Sequence, residues 1–323
     1  MGEAVYLEHY LGPLGPFLEA EDVTDIYINR PGEVWVERLG GAIERVDAMA
    51  LDGLVLERLA RQIAAQSSQG VSREHPLLSA SLPDGSRVQI AIPPATRGEV
   101  AIAIRKYVVN DLDIDDYAAT GAFDGLSAQE GSNRLQERLS ALRAKGDYTG
   151  LLRTAVKQRA NIFISGGTST GKTTFLNALL KEVDPQERLI LIEDTPELKA
   201  PHENMVGMIA ARSALGEAVV SMEDLLNASL RMRPDRIILG ELRGPEAFTF
   251  LRAVNTGHPG SMTTIHADSP ERAIEQLVLL VLESGTHLDR ASIAHYVRSS
   301  IDVYVQLGRV DGVRRITAIE LRQ

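Results

Sequence analysis

The sequence predicts an α/β protein: a small N-terminal α+β domain followed by a phosphate-loop domain with a mainly parallel sheet flanked by helices. From about Gly150 onward, short apolar runs alternate with amphipathic helical stretches, the pattern of a parallel sheet covered on both faces. Ahead of that region, β-rich runs joined by turn residues accompany one helical stripe, the pattern of a small α+β unit. Within the second region Gly166-Gly167-Thr168-Ser169-Thr170-Gly171-Lys172-Thr173 fits the G-x-x-x-x-G-K-[ST] template at every fixed position, with an apolar run before it and helical spacing after it. A chain of 323 residues is long enough for two such cores.

In residues 1–107, Val23 to Ile28 and Glu33 to Glu37 read as strands joined through Asn29-Arg30-Pro31-Gly32, a hairpin composition. Leu54, Leu56, Leu59, Ile63 and Ala64 then share one helical face. Ser86 to Ile92 and Val100 to Arg105 are two further strands, separated by Pro93-Pro94-Ala95-Thr96-Arg97-Gly98. Each carries an arginine near one end, Arg87 and Arg105, which by themselves read as solvated strand edges.

Residues 108–149 change character and read as a mobile linker. Asp111, Asp113, Asp115 and Asp116 crowd together, Gly121 to Asn133 is small and polar, and Leu135, Leu139 and Leu142 suggest a short helix. The aspartates lack the glycine and closing glutamate of a calcium loop.

Residues 150–323 form the second domain. Asn161 to Ser165 enters the glycine-rich loop, and Thr174 to Leu180 leaves it as a helix. Arg188 to Asp194 is a buried strand ending in two carboxylates, Met222 to Met232 an amphipathic helix, and Arg236 to Glu241 another strand ending in a carboxylate. Pro245 to Val254 is helical, and Ser261 to His266 a further strand. In parallel sheets of this kind ligands sit beyond the carboxyl ends of the strands, so Glu193, Asp194, Glu241 and His266 are expected in one crevice with Lys172.

The loop residues suit a phosphate chain. Gly166, Gly167 and Gly171 let the backbone bend and approach an anion, and the N–H groups from Thr168 to Thr173 can point inward with the positive helix end behind them. Lys172 supplies a mobile positive charge, and the Thr173 hydroxyl is a hard oxygen suited to Mg²⁺. The expected ligand is a nucleoside triphosphate with magnesium, held by Gly166 through Thr174. Hydrolysis needs a group that orients and deprotonates water, and Glu193 and Glu241 are the candidates.

Composition narrows the field. The net charge of −10 argues against a globally basic nucleic-acid binder, and the absence of cysteine excludes disulfides, thiol catalysis and cysteine-ligated zinc. The most apolar run, Leu277 to Leu282, is far too short to cross a bilayer, and Met1 to Tyr10 lacks the layout of a secretion signal, so a cytoplasmic location is expected. The seven histidines include no H-E-x-x-H pair, and no Asn-Lys-x-Asp guanine signature appears.

The segment Arg231-Met232-Arg233-Pro234-Asp235-Arg236-Ile237-Ile238-Leu239-Gly240-Glu241-Leu242-Arg243 resembles the second nucleotide-binding motif of the secretion traffic ATPases, which power type II and type IV secretion and pilus machines. Glu193-Asp194-Thr195-Pro196-Glu197-Leu198 is similar to that superfamily's acidic box, and Gly257 to Ala267 to its histidine box. The match covers almost all of the second domain and is weaker over the first. The wording Leu230 to Asp235 and Gly240 to Ala247 looks closest to the hexameric ATPases of type IV secretion and conjugation, and the absence of cysteine removes the zinc module usual in type II assembly ATPases.

That resemblance implies a RecA-like second domain that binds ATP and Mg²⁺, with Lys172 and Thr173 on the phosphates and metal. Glu241 takes the place of the second motif's glutamate and Glu193 that of the acidic box; which one activates water stays open, with Glu241 ranked first. The resemblance also puts His266 at the γ-phosphate, His258 in a loop-shaping role, Arg231 near a neighbouring subunit's nucleotide, and Arg87 and Arg105 as phosphate clamps from the first domain. It further implies a homo-hexamer at the inner face of the inner membrane, working with secretion or conjugation components on a protein or DNA–protein substrate. Two alternatives stand beside it: a pilus assembly or retraction motor, and a nucleotide-dependent switch or scaffold. Two departures are visible. Ser169 occupies a turn often given to glycine, and Gly240 stands where many phosphate-loop enzymes have a magnesium-binding aspartate, which points to metal held through water and the two glutamates.

Overall fold

The computed structural model describes residues 2–107, 113–119, 121, 123–124, 130–211 and 218–322. Asp111 of the aspartate cluster, and residues 122 and 125–129 of the small polar stretch, lie outside them.

The first sheet has six strands: β1 (Val23–Ile28), β2 (Gly32–Arg38), β3 (Ile43–Ala48), β4 (Leu77–Ser81), β5 (Arg87–Ala91) and β6 (Ala101–Arg105), in the order β3-β2-β1-β6-β5-β4. Every neighbouring pair is antiparallel, including the expected β1–β2 hairpin. One face buries Ile26, Ile28, Val34, Val36, Ile90, Ile102 and Ile104 against α1 (Gly2–Leu11) and α3 (Gly53–Gln66), with α2 (Gly15–Glu19) leading into β1. Helix α3 begins where the Asp52 carboxylate accepts from the Val55 N–H, and it buries Leu56, Leu59, Ile63 and Ala64. Leu54 of the expected stripe is instead exposed.

Between the sheets lie α4 (Ile114–Ala119) and α5 (Glu130–Ala144). Asp113 accepts from the backbone N–H groups of Asp115 and Asp116 at 2.9 and 3.0 Å, so part of the aspartate cluster caps α4. Leu135, Leu139 and Leu142 do share a helix, and Leu139 is buried against α6 (Tyr148–Lys157) in the core of the second sheet.

That second sheet comprises β7 (Ile162–Gly166), β8 (Leu189–Glu193), β9 (Met205–Ile209), β10 (Arg236–Leu239), β11 (Met262–Ile265), β12 (Val303–Val310) and β13 (Val313–Leu321). Its order is β13-β12-β7-β11-β10-β8-β9, parallel throughout except for the β12–β13 hairpin. Ile162, Ile164, Leu189, Leu191 and Ile238 face α5, α6 and α7 (Lys172–Leu180). Phe163, Ile190, Ile192, Ile237 and Leu239 face α8 (Met222–Ser229), α9 (Glu246–Asn255), α10 (Pro270–Glu283) and α11 (Arg290–Ser300). Burial on both faces is why these strands read as unbroken apolar runs.

Several elements end earlier than the sequence pattern suggests. Helix α8 stops at Ser229 because the chain tightens at Arg231 and Met232 and then Arg233, which precedes Pro234, takes a φ of 56°. Strands β10 and β11 end at Leu239 and Ile265, which leaves Gly240, Glu241 and His266 just past the ladder.

The other face of the first sheet rests on the second unit, where Tyr27, Ala91, Ala101 and Ala103 join the core beneath α8–α11. Arg188 is fully buried at this joint, donating to Asn29 and Asn204 side-chain oxygens at 2.7 and 2.6 Å with its guanidinium 4.1 Å from the Tyr27 ring centre. The Tyr27 hydroxyl donates to Glu37, which also pairs with Arg233 at 3.0 Å.

The Leu139→Ala variant is expected to lose about 2–5 kcal/mol of unfolding free energy, read from the urea midpoint. A loss below about 0.5 kcal/mol would place α5 outside the core, since exposed positions cost no more than that.

Candidate functional site

The glycine-rich loop joins β7 to α7, and its geometry follows from local sterics. Gly171 caps α7 with a φ of 96°, a conformation that favours glycine. Ser169 takes a φ of 59°, so the residue that departs from the family pattern does occupy a left-handed turn. A Cβ on Gly166 would stand 2.6 Å from the Thr170 hydroxyl and 2.8 Å from the Leu307 carbonyl oxygen, which ties the loop closely to β12.

Lys172 is buried, and its ammonium donates to the Gly166 and Gly167 carbonyls at 3.0 and 3.3 Å. Burial lowers its pKa, with the Glu241 charge opposing that fall and Arg243 adding to it. The same ammonium lies 3.2 Å from Nδ1 of His266, whose Nε2 is 2.7 Å from a Glu241 carboxylate oxygen. The ring thus stands between the lysine and the glutamate, within contact distance of both. On the far side, Arg243 donates to Glu241 at 2.6 Å and to Asp194 at 2.8 Å. Lys172, His266, Glu241, Arg243 and Asp194 thus form one continuous row.

Glu193 is held differently. One of its carboxylate oxygens accepts from the backbone N–H groups of Glu197 and Leu198 at 2.8 and 2.7 Å, and the other forms an ion pair with Arg97 of the first sheet's β5–β6 connection. The Glu193 side chain is 3% exposed and that of Glu241 13%. A Cβ on Gly240 would lie 3.2 Å from Cγ of Glu193, so the position of the missing aspartate is packed against the Glu193 stem.

These groups line a polar cleft of about 500 Å³ together with Thr168, Ser169, Thr170, Gly171, Thr173, Thr174, Thr264 and Arg314. The cleft fits a phosphate chain: loop N–H groups and the N-terminus of α7 at one wall, a lysine within, carboxylates opposite. It also fits Mg²⁺, which keeps several waters and takes one or two protein oxygens plus phosphate oxygens, with the Thr173 hydroxyl and the glutamates at hand.

The structure does not bring every expected residue here. Arg87, Arg105 and Arg231 line a separate cavity of about 1090 Å³ with Arg233, Gln89 and His258, and that cavity shares no residue with the Lys172 cleft. Arg87 and Arg105 are direct partners across β5 and β6, which sets two like charges side by side. His258 is turned inward, its Nδ1 2.9 Å from the Pro234 carbonyl, and burial lowers its pKa. Two arginines that line the Lys172 cleft, Arg243 and Arg314, and a third that reaches Glu193 from the first sheet, Arg97, have no role assigned from the sequence. Arg243 stands inside a recognised motif, but Arg97 has its partner 96 positions away in sequence, and Arg314, donating to the Ser169 carbonyl at 3.1 Å, comes from the unforeseen β12–β13 hairpin.

A family model described as "Type II/IV secretion system protein" matches residues 8–310. The chain belongs to that family. The type IV secretion system protein VirB11 of Bartonella henselae is 40% identical over 324 residues, covering 96% of this chain and 91% of the relative. PtlH of Bordetella pertussis, also a type IV secretion system protein, is 37% identical over 317 residues, 95% and 91% of the two chains. Among solved structures, the VirB11 ATPase from the Brucella suis type IV secretion system in complex with sulphate aligns with 99% of this chain and 95% of its own, at 36% identity and a TM-score of 0.92. The α/β architecture with a mainly parallel second sheet is therefore shared with a secretion ATPase of this family.

The left-handed turn at position 169 makes a comparison of two variants informative. Ser169→Val is expected to be less stable than Ser169→Gly by about 1–2 kcal/mol in urea unfolding, the cost of a β-carbon in that turn. Equal midpoints would show that the turn is not left-handed in solution.

Proposed function

We propose that the chain is an ATP-hydrolysing motor of a type IV secretion system, closing into a ring of identical subunits at the inner face of the inner membrane and working on a protein or DNA–protein substrate with the membrane components there. The observation that carries this reading is the convergence of the Lys172 loop, His266 and Glu241 on one cleft at the carboxyl ends of parallel strands. Membership of the secretion family supports the setting. Among the described residues no helix is long and apolar enough to cross a membrane, which agrees with a peripheral attachment.

In this reading the loop N–H groups from Thr168 to Thr173 and the ammonium of Lys172 hold the ATP phosphates. Lys172 exchanges its contacts with the Gly166 and Gly167 carbonyls for phosphate oxygens. The Thr173 hydroxyl and, through water, the glutamates would hold Mg²⁺, which when bound would supply positive charge against the phosphates. Glu241 orients water and takes its proton: it is the less buried of the two carboxylates and stands between His266 and Arg243 in the row that begins at Lys172, whereas Glu193 is held deeper by two backbone N–H groups and Arg97. His266, between lysine and glutamate, senses the γ-phosphate. Glu193 fixes the loop 194–198 and the metal's water. Arg243 and Asp194 steady Glu241 from behind.

Residues 1–107 act as one module and residues 150–323 as the nucleotide-binding one, with 108–149 between them. The arginine cavity is assigned to the neighbouring subunit's phosphates. Arg87 and Arg105 are cross-strand partners, Arg105 also stands opposite Asp25 of β1, and Arg231 joins them from the second unit; among the described residues the cavity lining is basic, an arrangement suited to an anion brought from outside the chain.

Lys172→Ala is expected to abolish ATP turnover. Glu241→Gln should leave nucleotide affinity within about twofold while lowering kcat by about 10²–10⁴, the range of a general base. Normal turnover in both variants would refute the motor, and tight binding without turnover in the parent protein would identify a switch instead. Mixing Lys172→Ala with Arg231→Ala should restore roughly a quarter of the parent activity, because random head-to-tail rings rebuild that share of complete sites. No recovery on mixing would confine Arg231 to its own subunit.

A further inference from the structure

The connection between β5 and β6 does more than turn the chain. Its backbone lies along the outer edge of β9: Arg97 N–H donates to the Gly207 carbonyl at 2.8 Å, Ile209 N–H donates to the Ala95 carbonyl at 3.0 Å, and Thr96 forms an antiparallel bridge with Met208. The first sheet thereby adds a short strand to the edge of the second, covering backbone groups that an edge otherwise leaves unpaired.

From this edge the Arg97 side chain crosses β9 toward β8. It passes over Gly207, where a Cβ would stand 2.4 Å from the arginine Cδ and 2.9 Å from its Cγ. A lone glycine inside a strand marks such close approach, and here the approaching group is an arginine stem. Beyond Gly207 the guanidinium divides its donors. One terminal nitrogen donates to the Leu198 carbonyl at 2.9 Å, and the other pairs with Glu193. Arg97 is 20% exposed and Glu193 3% in their side chains, so little solvent screens the pair.

We propose that Arg97 is a positioning residue for Glu193, which makes the orientation of the acidic-box carboxylate depend on the first sheet being docked on β9. This rests on the motor reading given above. Glu193 has three holders: the N–H groups of Glu197 and Leu198, which belong to its own loop, and Arg97, which arrives from the other sheet. Gly240 closes the opposite side of its stem. When the first sheet separates from β9, Glu193 loses the cationic partner it has among the described residues and the 194–198 loop loses a tie at Leu198. Docking and the geometry of the nucleotide cleft are thus one event. Lysine cannot replace this arrangement fully, since an ammonium lacks the planar fork that spans a carboxylate and a carbonyl at once.

The test uses the full-length protein. Arg97→Ala is expected to lower kcat for ATP at least about tenfold, while KM and the Kd of a fluorescent ATP analogue change less than about twofold, the signature of an interaction that does not serve ground-state binding. Arg97→Lys should recover part of the loss. Gly207→Val, which keeps both charges and obstructs the stem's path, should reproduce it. Combined with Glu193→Gln, Arg97→Ala should reduce kcat no further than Glu193→Gln alone. Independent, multiplying effects of Arg97→Ala and Glu193→Gln on kcat, or an unchanged kcat in Arg97→Ala, would overturn the proposal. A second readout needs no nucleotide: in urea unfolding the double variant's midpoint should fall short of the sum of the two single shifts, and strict additivity there would also overturn it. If the parent protein hydrolyses no ATP, the motor reading fails, and the unfolding cycle still decides whether Arg97 and Glu193 act as a pair.

Discussion

A row of alternating partners crosses the cleft, and the site depends on it: Lys172 against His266, His266 against Glu241, Glu241 against Arg243, Arg243 against Asp194. Lys172 and Glu241 are the members withdrawn from water, where an ionised group is costly unless a neighbour answers it, while His266, Arg243 and Asp194 reach solvent. The row supplies those neighbours. It sets the imidazole between Lys172 and Glu241. In the proposed function, a phosphate chain that draws Lys172 away would act on Glu241 through that one ring.

Topology brings the row together. Strands β7, β8, β10 and β11 all run parallel, so the loop after β7 and the residues that follow the other three emerge on one side of the sheet. Two glycines then set the spacing. Gly166 lets the loop lie against Leu307 of β12, and Gly240 leaves room for the Glu193 stem. The two carboxylates, which look equivalent in the chain, are held differently: Glu193 by two backbone N–H groups and Arg97, Glu241 by His266 and Arg243.

The sequence states the local part of this clearly. Buried parallel strands write themselves as apolar runs, and their alternation with helices, with the loop template among them, was enough to expect Glu193, Asp194, Glu241 and His266 in one crevice with Lys172, where all five line one cleft. What stayed hidden depends on partners distant in the chain. Strand β9 carries Gly207 in its middle and so weakens its own signal. Strand β13 is exposed along much of its length, and Arg97 sits in a turn whose role is visible only once β9 lies beneath it. Arg87 and Arg105 were expected on the phosphates and Arg231, separately, near a neighbouring subunit's nucleotide; that all three line one cavity apart from the Lys172 cleft is something no local pattern encodes.

The two cavities give the account its sharpest consequence. One cleft carries the loop, the lysine and the carboxylates; the other collects Arg87 and Arg105 of the first sheet with Arg231 and Arg233 of the second unit. The most direct measurement is a crystal structure of the full-length protein with Mg²⁺ and a non-hydrolysable ATP analogue. The account requires the phosphate chain on the loop between Gly166 and Thr173, the Lys172 ammonium moved from the Gly166 carbonyl to a phosphate oxygen, and Glu241 within one water of the γ-phosphate. A nucleotide lodged elsewhere, with Lys172 still bound to the Gly166 and Gly167 carbonyls and Glu241 turned away, would contradict it.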